Sequence, residues 1–328
     1  MTLRELNRTL LARQLLLERK RVPVVRAVAR LVALQAQYAP SPYVALWSRL
    51  AGFRKEQLTR ALAQGSVVKA GSLRTTLHVM ARDEYPYIVS AYVESQRARQ
   101  DGLGVDVEVL RAAFPERPIT STEFFQLGYR VFRTDDRWTV AFAGRALPTV
   151  RTAPLGPWPH TKPSPFVLWR EPLPDAGESA TRVVRAYLAG YGPATREDIQ
   201  QFTGFRMRQI APALEGLSEL GDGLYDLPRA PRTAADVPAP VRFLPAFDSI
   251  ILAHRDRSRI VPQEYVEAVF NRRNATTKNT FTVDGFVAGA WRIERRKLAV
   301  EPFAPLPARV RREVDAEGER LLAWYLAD

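Results

Sequence analysis

The chain has 328 residues and a mass of 37.0 kDa, with 46% hydrophobic and 25% charged side chains. That is apolar enough for a large core and excludes a disordered chain. It has no cysteine, which rules out disulfides, thiolate metal sites and Cys nucleophiles together. Lys and Arg number 48 against 35 Asp and Glu, a net charge of +13 to which lysine contributes only at 20, 55, 69, 162, 278 and 297; such a basic chain points first to nucleic acid as partner.

The amino-terminal stretch reads as an amphipathic helix, with Thr2 and Glu5 at capping-box spacing, rather than as a signal peptide. No apolar run approaches the roughly 20 residues of a membrane span, so no membrane partner and a cytoplasmic location are expected. Pro23 opens a second helix through Leu34, which runs into Gln35-Ala36-Gln37-Tyr38 and then Pro40 and Pro42. Residues before proline avoid helix, which places the Gln pair at a helix end. A third helix over 54–64 stops at Gly65, and β-like runs follow at 66–70 and 75–80. Helices followed by a pair of strands is the order of a winged helix.

The pattern returns further along. Helices are expected at 180–188, at 195–202 with Thr195 and Asp198 at cap spacing, and at 205–217. A hairpin with Asp222-Gly223 at its tip follows. A weaker copy is expected at 105–145, with Thr120 and Glu123 capping a helix over 124–132 and a strand at 138–142. Eight prolines between 148 and 174 stand among Trp158, Phe166 and Trp169, so that stretch reads as an ordered connector, whereas 228–240 reads as a boundary. A β-meander over 281–283, 286–293 and 297–300, turning at Asp284-Gly285, and a helix over 307–326 complete the pattern. The expected class is α+β with tandem winged-helix modules.

The familiar catalytic motifs are missing. There is no Gly-Lys pair for a phosphate loop, and Gly102-Leu-Gly104 lacks the third glycine of a dinucleotide turn. His78, His160 and His254 are too scattered to form a zinc set. His254-Arg255-Asp256 imitates a kinase catalytic loop, but Val261 stands where that loop needs Asn. Four polar sets remain in otherwise apolar sequence. One is Gln35 and Gln37. The second is Arg74, Thr76 and His78, which alternation puts on one strand face. The third holds Arg255, Arg257 and Arg259; the fourth, basic and without an acid, holds Arg272, Arg273, Asn274 and Lys278, with Asn271 and Thr276. Each set also suits a capping or solvated-loop role; read functionally, the last three bind DNA.

The segments LVALQAQYAPSPYVALWSRL, LRTTLHVMARDEY and FLPAFDSIILAHRDRSRIVP resemble the bacterial winged-helix DNA glycosylases that remove alkylated purines and unhook crosslinks. The resemblance covers nearly the whole chain. That family is marked by Gln-Φ-Gln in its AlkZ-like branch and Gln-Φ-Asp in the YcaQ branch, Φ being apolar, and Gln35-Ala36-Gln37 matches the first. It implies three winged-helix units (1–104, 105–176 and 177–232) and a C-terminal β-barrel-like domain (233–328) around duplex DNA carrying alkylated purines. It further implies Gln35 and Gln37 as the catalytic pair, in a monofunctional enzyme without metal or other cofactor.

Two alternatives are weighed against it. A non-catalytic winged-helix DNA-binding protein or transcription regulator would usually dimerise on a palindrome. No heptad segment or dimerisation helix is evident, so a monomer is expected. A metal-dependent nuclease-like site could use Asp248 and Asp256, but nearby arginines favour ion pairs for both. Base release is therefore expected to persist in EDTA with nothing added; loss in EDTA, restored by Mg²⁺ or Zn²⁺, would revive the carboxylate reading.

Overall fold

The computed structural model describes every residue except Asp101, Leu103, Arg272 and Asp328, with side chains except at 97–100. Helix α1 (Leu3–Arg13) starts at Thr2, which completes the anticipated capping box with Glu5. Helix α2 (Val24–Arg30) is shorter than its apolar pattern. The Tyr191 hydroxyl donates to Leu31 O at 2.9 Å, and Val32 takes a left-handed φ of 63°. The chain therefore leaves the helix early and enters strand β1 (Leu34–Gln35). The Gln pair is not at a helix end, because tertiary contacts stop α2 before the prolines can. Those prolines instead begin α3 (Ser41–Arg49), with Pro42 in its first turn, where a missing N–H is harmless.

Helix α4 (Lys55–Ala63) and strands β2 (Val67–Ser72) and β3 (Thr76–Ala81) fall where the pattern puts them. Helices α5 (Tyr85–Gln100), α6 (Val107–Ala112) and α7 (Ser121–Phe132) follow. Helix α8 (Arg137–Gly144) replaces the strand expected at 138–142. The Asp136 carboxylate accepts from the amides of Trp138 and Thr139, and such a cap commits a short ambiguous apolar run to helix. The proline-rich stretch supplies β4 (Thr149–Arg151) and β5 (Phe166–Leu168). These complete an antiparallel five-stranded sheet in the order β1-β3-β2-β4-β5.

Helices α9 (Ala176–Tyr191) and α10 (Arg196–Thr203) match expectation, the second with its Thr195–Asp198 capping box. The helix expected over 205–217 is split into α11 (Met207–Ile210) and the 3₁₀ turn Ala211–Leu214, because Pro212 has no N–H to continue an α-helix. Strands β6 (Ser218–Glu219) and β7 (Tyr225–Asp226) form the small hairpin; Asp222 and Gly223 at its tip both have positive φ. The stretch expected as a boundary, 228–240, lies along α1: Arg8 Nε donates to Val237 O at 2.6 Å and Thr233 N to Thr9 Oγ at 3.0 Å.

Beyond it come β8 (Arg242–Leu244), α12 (Ser249–Leu252), α13 (Val266–Val269) and the hairpin of β9 (Phe270–Asn271) with β10 (Thr276–Thr277). Strands β11 (Asn279–Val283), β12 (Phe286–Glu294) and β13 (Lys297–Pro302) make the meander, and α14 (Ala308–Leu326) follows it. The meander and β8 form an open antiparallel sheet in the order β13-β12-β11-β8. The expected barrel is not formed: four strands leave β8 and β13 as edges, where closure around side chains takes about eight. Asp284 and Gly285, both at positive φ, make its tight turn, and a Cβ on Gly285 would strike Asn7, Arg8 and Leu11 of α1.

One core joins α1, α5, α9 and α10 to Leu244 and Ile250. Another joins α2, α3 and α4 to Phe243, Phe281 and Trp291 of the C-terminal sheet and Val314 and Leu321 of α14. A smaller core lies between Leu110 and Leu168. Among the described residues no helix is long and apolar enough to cross a membrane. Two buried ion pairs span these units: Arg13 with Asp226, and Arg49 with Asp248, the latter bidentate at 2.8 Å with both side chains at 0% exposure. Removing one member of such a pair strands a buried charge. Asp248→Asn is expected to lower the unfolding free energy by about 3–5 kcal/mol in urea titrations, and Arg49→Met/Asp248→Leu to recover most of that loss. A single variant as stable as the parent would show the pair to be dispensable.

Candidate active site

The two glutamines sit on the edge strand of the first sheet. Leu34 pairs with Val79 and Gln35 with His78 across β1 and β3. The ladder runs one step further, with Ala36 N donating to Leu77 O at 2.7 Å. Alternation sends Gln35 and Gln37 to one side and Ala36 to the other, where Ala36 is buried in the core beneath the sheet. The apolar residue between two amides is thus a packing requirement. Gln35 is 6% exposed; Gln37 is exposed, with its Oε1 accepting from Leu77 N at 3.3 Å. One amide forms a floor and the other a rim.

The turn between β2 and β3 carries Arg74 and Thr75 in the left-handed region, φ 53° and 61°, a conformation costly for non-glycine residues. It folds the Arg74 side chain back over the sheet. Its guanidinium donates to Phe202 O at 2.5 Å, lies 3.5 Å from Gln35 Oε1 and 3.4 Å from His78 Nε2, and stacks 5.0 Å from the Phe202 ring. These partners are all neutral. Burial lowers the Arg74 pKa to about 10, which leaves it charged at neutral pH. His78 is held well below the usual imidazole range by burial and then by the Arg74 charge. It is therefore neutral and accepts at Nε2, with Nδ1 facing Thr76 O and Ser72 Oγ, each at 3.2 Å.

The expectation that Arg74, Thr76 and His78 share one exposed strand face is corrected. Arg74 stands in the 3₁₀ turn before the strand, His78 is 0% exposed, and Thr76 bonds back to Leu73 O at 3.3 Å. A fully buried imidazole cannot reach DNA. Sequence reading also passed over the residues that brace β1. Tyr191 holds Leu31 O, Ser249 Oγ donates to Ala33 O at 2.9 Å, and Phe202 carries Arg74. Only their apolar surroundings signalled them.

The basic loops divide. Arg255 is exposed, while Arg257 is half-buried with its guanidinium 4.1 Å over Phe270. Arg259 is buried at 6%; it donates to Pro193 O and pairs with Asp198 at 3.8 Å. Arg259 is thus a structural residue and not a DNA contact. Asp256, the anticipated partner of a neighbouring arginine, instead accepts from Ser258 N at 2.9 Å. In the β9–β10 hairpin Arg273, Asn274 and Lys278 are exposed, with Asn274 Oδ1 taking the Thr276 hydroxyl at 2.6 Å; Arg272 lies outside the described residues. Asp248, the other candidate metal ligand, is consumed by Arg49.

The hairpin and the Gln loop meet. Ser41 Oγ donates to Ala246 O at 2.8 Å, Ala246 N to Asn279 Oδ1 at 2.7 Å and Phe247 N to Thr277 Oγ at 2.6 Å. Tyr38, next to Gln37, and Lys278 line the same cavity of about 440 Å³. The arrangement offers fixed amide oxygens beside a basic, hydrogen-bonding surface, with no acid at hand to protonate a leaving group.

Residues 28–324 match a family described as DNA glycosylase AlkZ-like. A relative, an interstrand DNA cross-link repair glycosylase of Streptomyces sahachiroi, is 23% identical over 333 residues, covering 89% of this chain and 88% of that protein. The solved structure of the Streptomyces sahachiroi DNA glycosylase AlkZ has the same fold, with a TM-score of 0.79 at 22% identity over 98% of this chain and 97% of the other.

Each phosphate contact adds about 0.9 to the slope of log K against log salt on duplex DNA. Replacing the exposed pair Arg255 and Arg273 by Ala is expected to flatten that slope by up to about two, equally on all sequences. Arg259→Ala should lower the melting temperature and leave the slope alone. Titrations of the same duplex across a salt series decide, and an unchanged slope for the double variant would move the DNA surface to another face.

Proposed function

The chain belongs to the AlkZ-like DNA glycosylases, hydrolases of N-glycosyl bonds, and from that premise we propose that it excises N-alkylated purines from duplex DNA, with Gln35 and Gln37 positioning the attacking water. Alkylation at N7 makes a purine cationic, so the base departs without a protein acid. That chemistry fits a site whose one imidazole, His78, is kept neutral. What remains is to hold a water beneath C1′ and to favour positive charge on the sugar.

Two amides suit both tasks. A carbonyl oxygen has two lone pairs; Leu77 N occupies one on Gln37, and the other is free to accept a proton from water. Gln35 is tethered by Arg74 and Ala36 is packed in the core, so the water is met by pre-set oxygens. An amide is too weak a base for a poor leaving group, which restricts the substrate to bases activated by alkylation. The name of the Streptomyces relative supports extending this to crosslinked purines. We read α2, α3 and α4 with β2 and β3, and α9, α10 and α11 with β6 and β7, as winged-helix units. They would seat a monomer on cytoplasmic duplex DNA within the segments 1–104, 105–176, 177–232 and 233–328.

The observation that carries the reading is the placement of both glutamines on one side of an edge strand, one buried and one exposed. On DNA containing N7-methylguanine, Gln37→Ala is expected to slow single-turnover base release by at least about a hundredfold, while affinity for undamaged duplex stays within about twofold, since that rests on phosphate contacts. A variant that excises normally removes Gln37 from the mechanism.

A further inference from the structure

The cavity between Tyr38 and Lys278 takes no part in activating water, yet it begins one residue from Gln37. Its volume of about 440 Å³ lies within the range of about 300–1,000 Å³ typical of small-molecule pockets. Its walls are assembled from distant segments: Tyr38 from the Gln loop, Ala246 from the turn after β8, Asn279 from the start of β11, Trp291 and Glu294 from β12, and Glu301 from β13.

The chemistry of those walls is selective. Tyr38 is 48% exposed and is braced by a hydrogen bond to Tyr325, so a large aromatic face is presented at the mouth in a fixed position. Trp291 is locked by its indole N–H, which donates to Leu244 O at 2.9 Å and Thr280 O at 3.0 Å. Glu294 and Glu301 flank Arg292 at 3.0 and 3.7 Å, adding two carboxylates for one guanidinium. Aromatic faces and excess carboxylate favour a flat cation. Lys278 stands at the rim, on the side of the exposed hairpin, where a phosphate of the same nucleotide could meet it.

A base stacked in a duplex hides its glycosidic bond, and enzymes working there commonly turn the nucleotide out into a pocket of this kind. We propose that the cavity receives the alkylated purine after it leaves the helix, with Tyr38 as its stacking platform. The chemical identity of the base rests on the function proposed above; the pocket as the place where a base goes does not.

The test reads binding rather than cleavage. The full chain is titrated on two duplexes that differ at one position: a tetrahydrofuran abasic analogue, and a 2′-fluoro N7-methylguanine nucleotide whose glycosidic bond resists hydrolysis. The parent protein is expected to prefer the duplex that carries the base. Tyr38→Ala removes the platform, and Ala246→Phe fills the cavity. Each is expected to reduce that preference by about tenfold, within the worth of one aromatic–base stack, and to leave affinity for the abasic duplex within about twofold. Tyr38 is largely exposed, so its variant remains informative even if Ala246→Phe fails to fold. Parent protein without a preference, variants that keep it, or equal loss on both duplexes would each overturn the pocket. Absence of base release from ordinary N7-methylguanine DNA would instead overturn the proposed reaction and leave this titration readable.

Discussion

The buried pair of Arg49 and Asp248 holds the site together. Both side chains are fully enclosed, so neither charge can exist there without the other. Arg49 ends α3, the helix entered directly from the Gln loop, and its guanidinium also touches Ala45 O and Gln14 Oε1. Asp248 caps α12 through Ile250 N, and the next residue, Ser249, holds Ala33 O just before β1. One ion pair therefore sets the distance between the strand that carries the glutamines and the turn that walls the adjoining cavity. Its energetic return is small after desolvation; what it imposes is a single arrangement.

Backbone strain is gathered around the same strand. Val32 precedes β1, Arg74 and Thr75 form the turn facing it, and Phe247 lies in the cavity-wall turn, all with positive φ. Conformations of this kind cost about 1–3 kcal/mol each and survive only where surrounding contacts over-determine them. Here Tyr191, Ser249 and Thr277 supply such contacts. Strain at Arg74 has a direct consequence: the turn points a charged guanidinium inward, toward an amide oxygen and a neutral imidazole, rather than out to solvent. Neutral amides tolerate such desolvation far better than carboxylates would. A carboxylate at position 35 would also be drawn into an ion pair with Arg74.

The polar side chains of α1 explain why the expected modules do not behave as separate beads. Asn7 donates to Arg259 O and Gly285 O, Arg13 to Asp226, and Gln14 to Gly190 O. Both large cores likewise mix amino-terminal with carboxy-terminal residues.

Local rules settled much of this chain from sequence alone. Capping boxes at Thr2, Thr120 and Thr195, the Asp-Gly turns at 222 and 284, and the alternation of β2, β3 and the meander depend on near neighbours, so they are legible in order along the chain. Gln-Ala-Gln could be picked out because two amides stand in an apolar run, and its family resemblance carried the reaction class. The rest required distant partners. Where α2 stops is decided by Tyr191, and the fate of 138–142 by the Asp136 cap. The sheet stays open because four strands reach no fifth. Sequence placed Arg74, His78 and Arg259 with the exposed basic residues, since charge is visible in a sequence and burial is not. Only the packed chain distinguishes an arginine enclosed beside Phe202 or Asp198 from one free to meet a phosphate, because enclosure is a property of what the other segments leave around it.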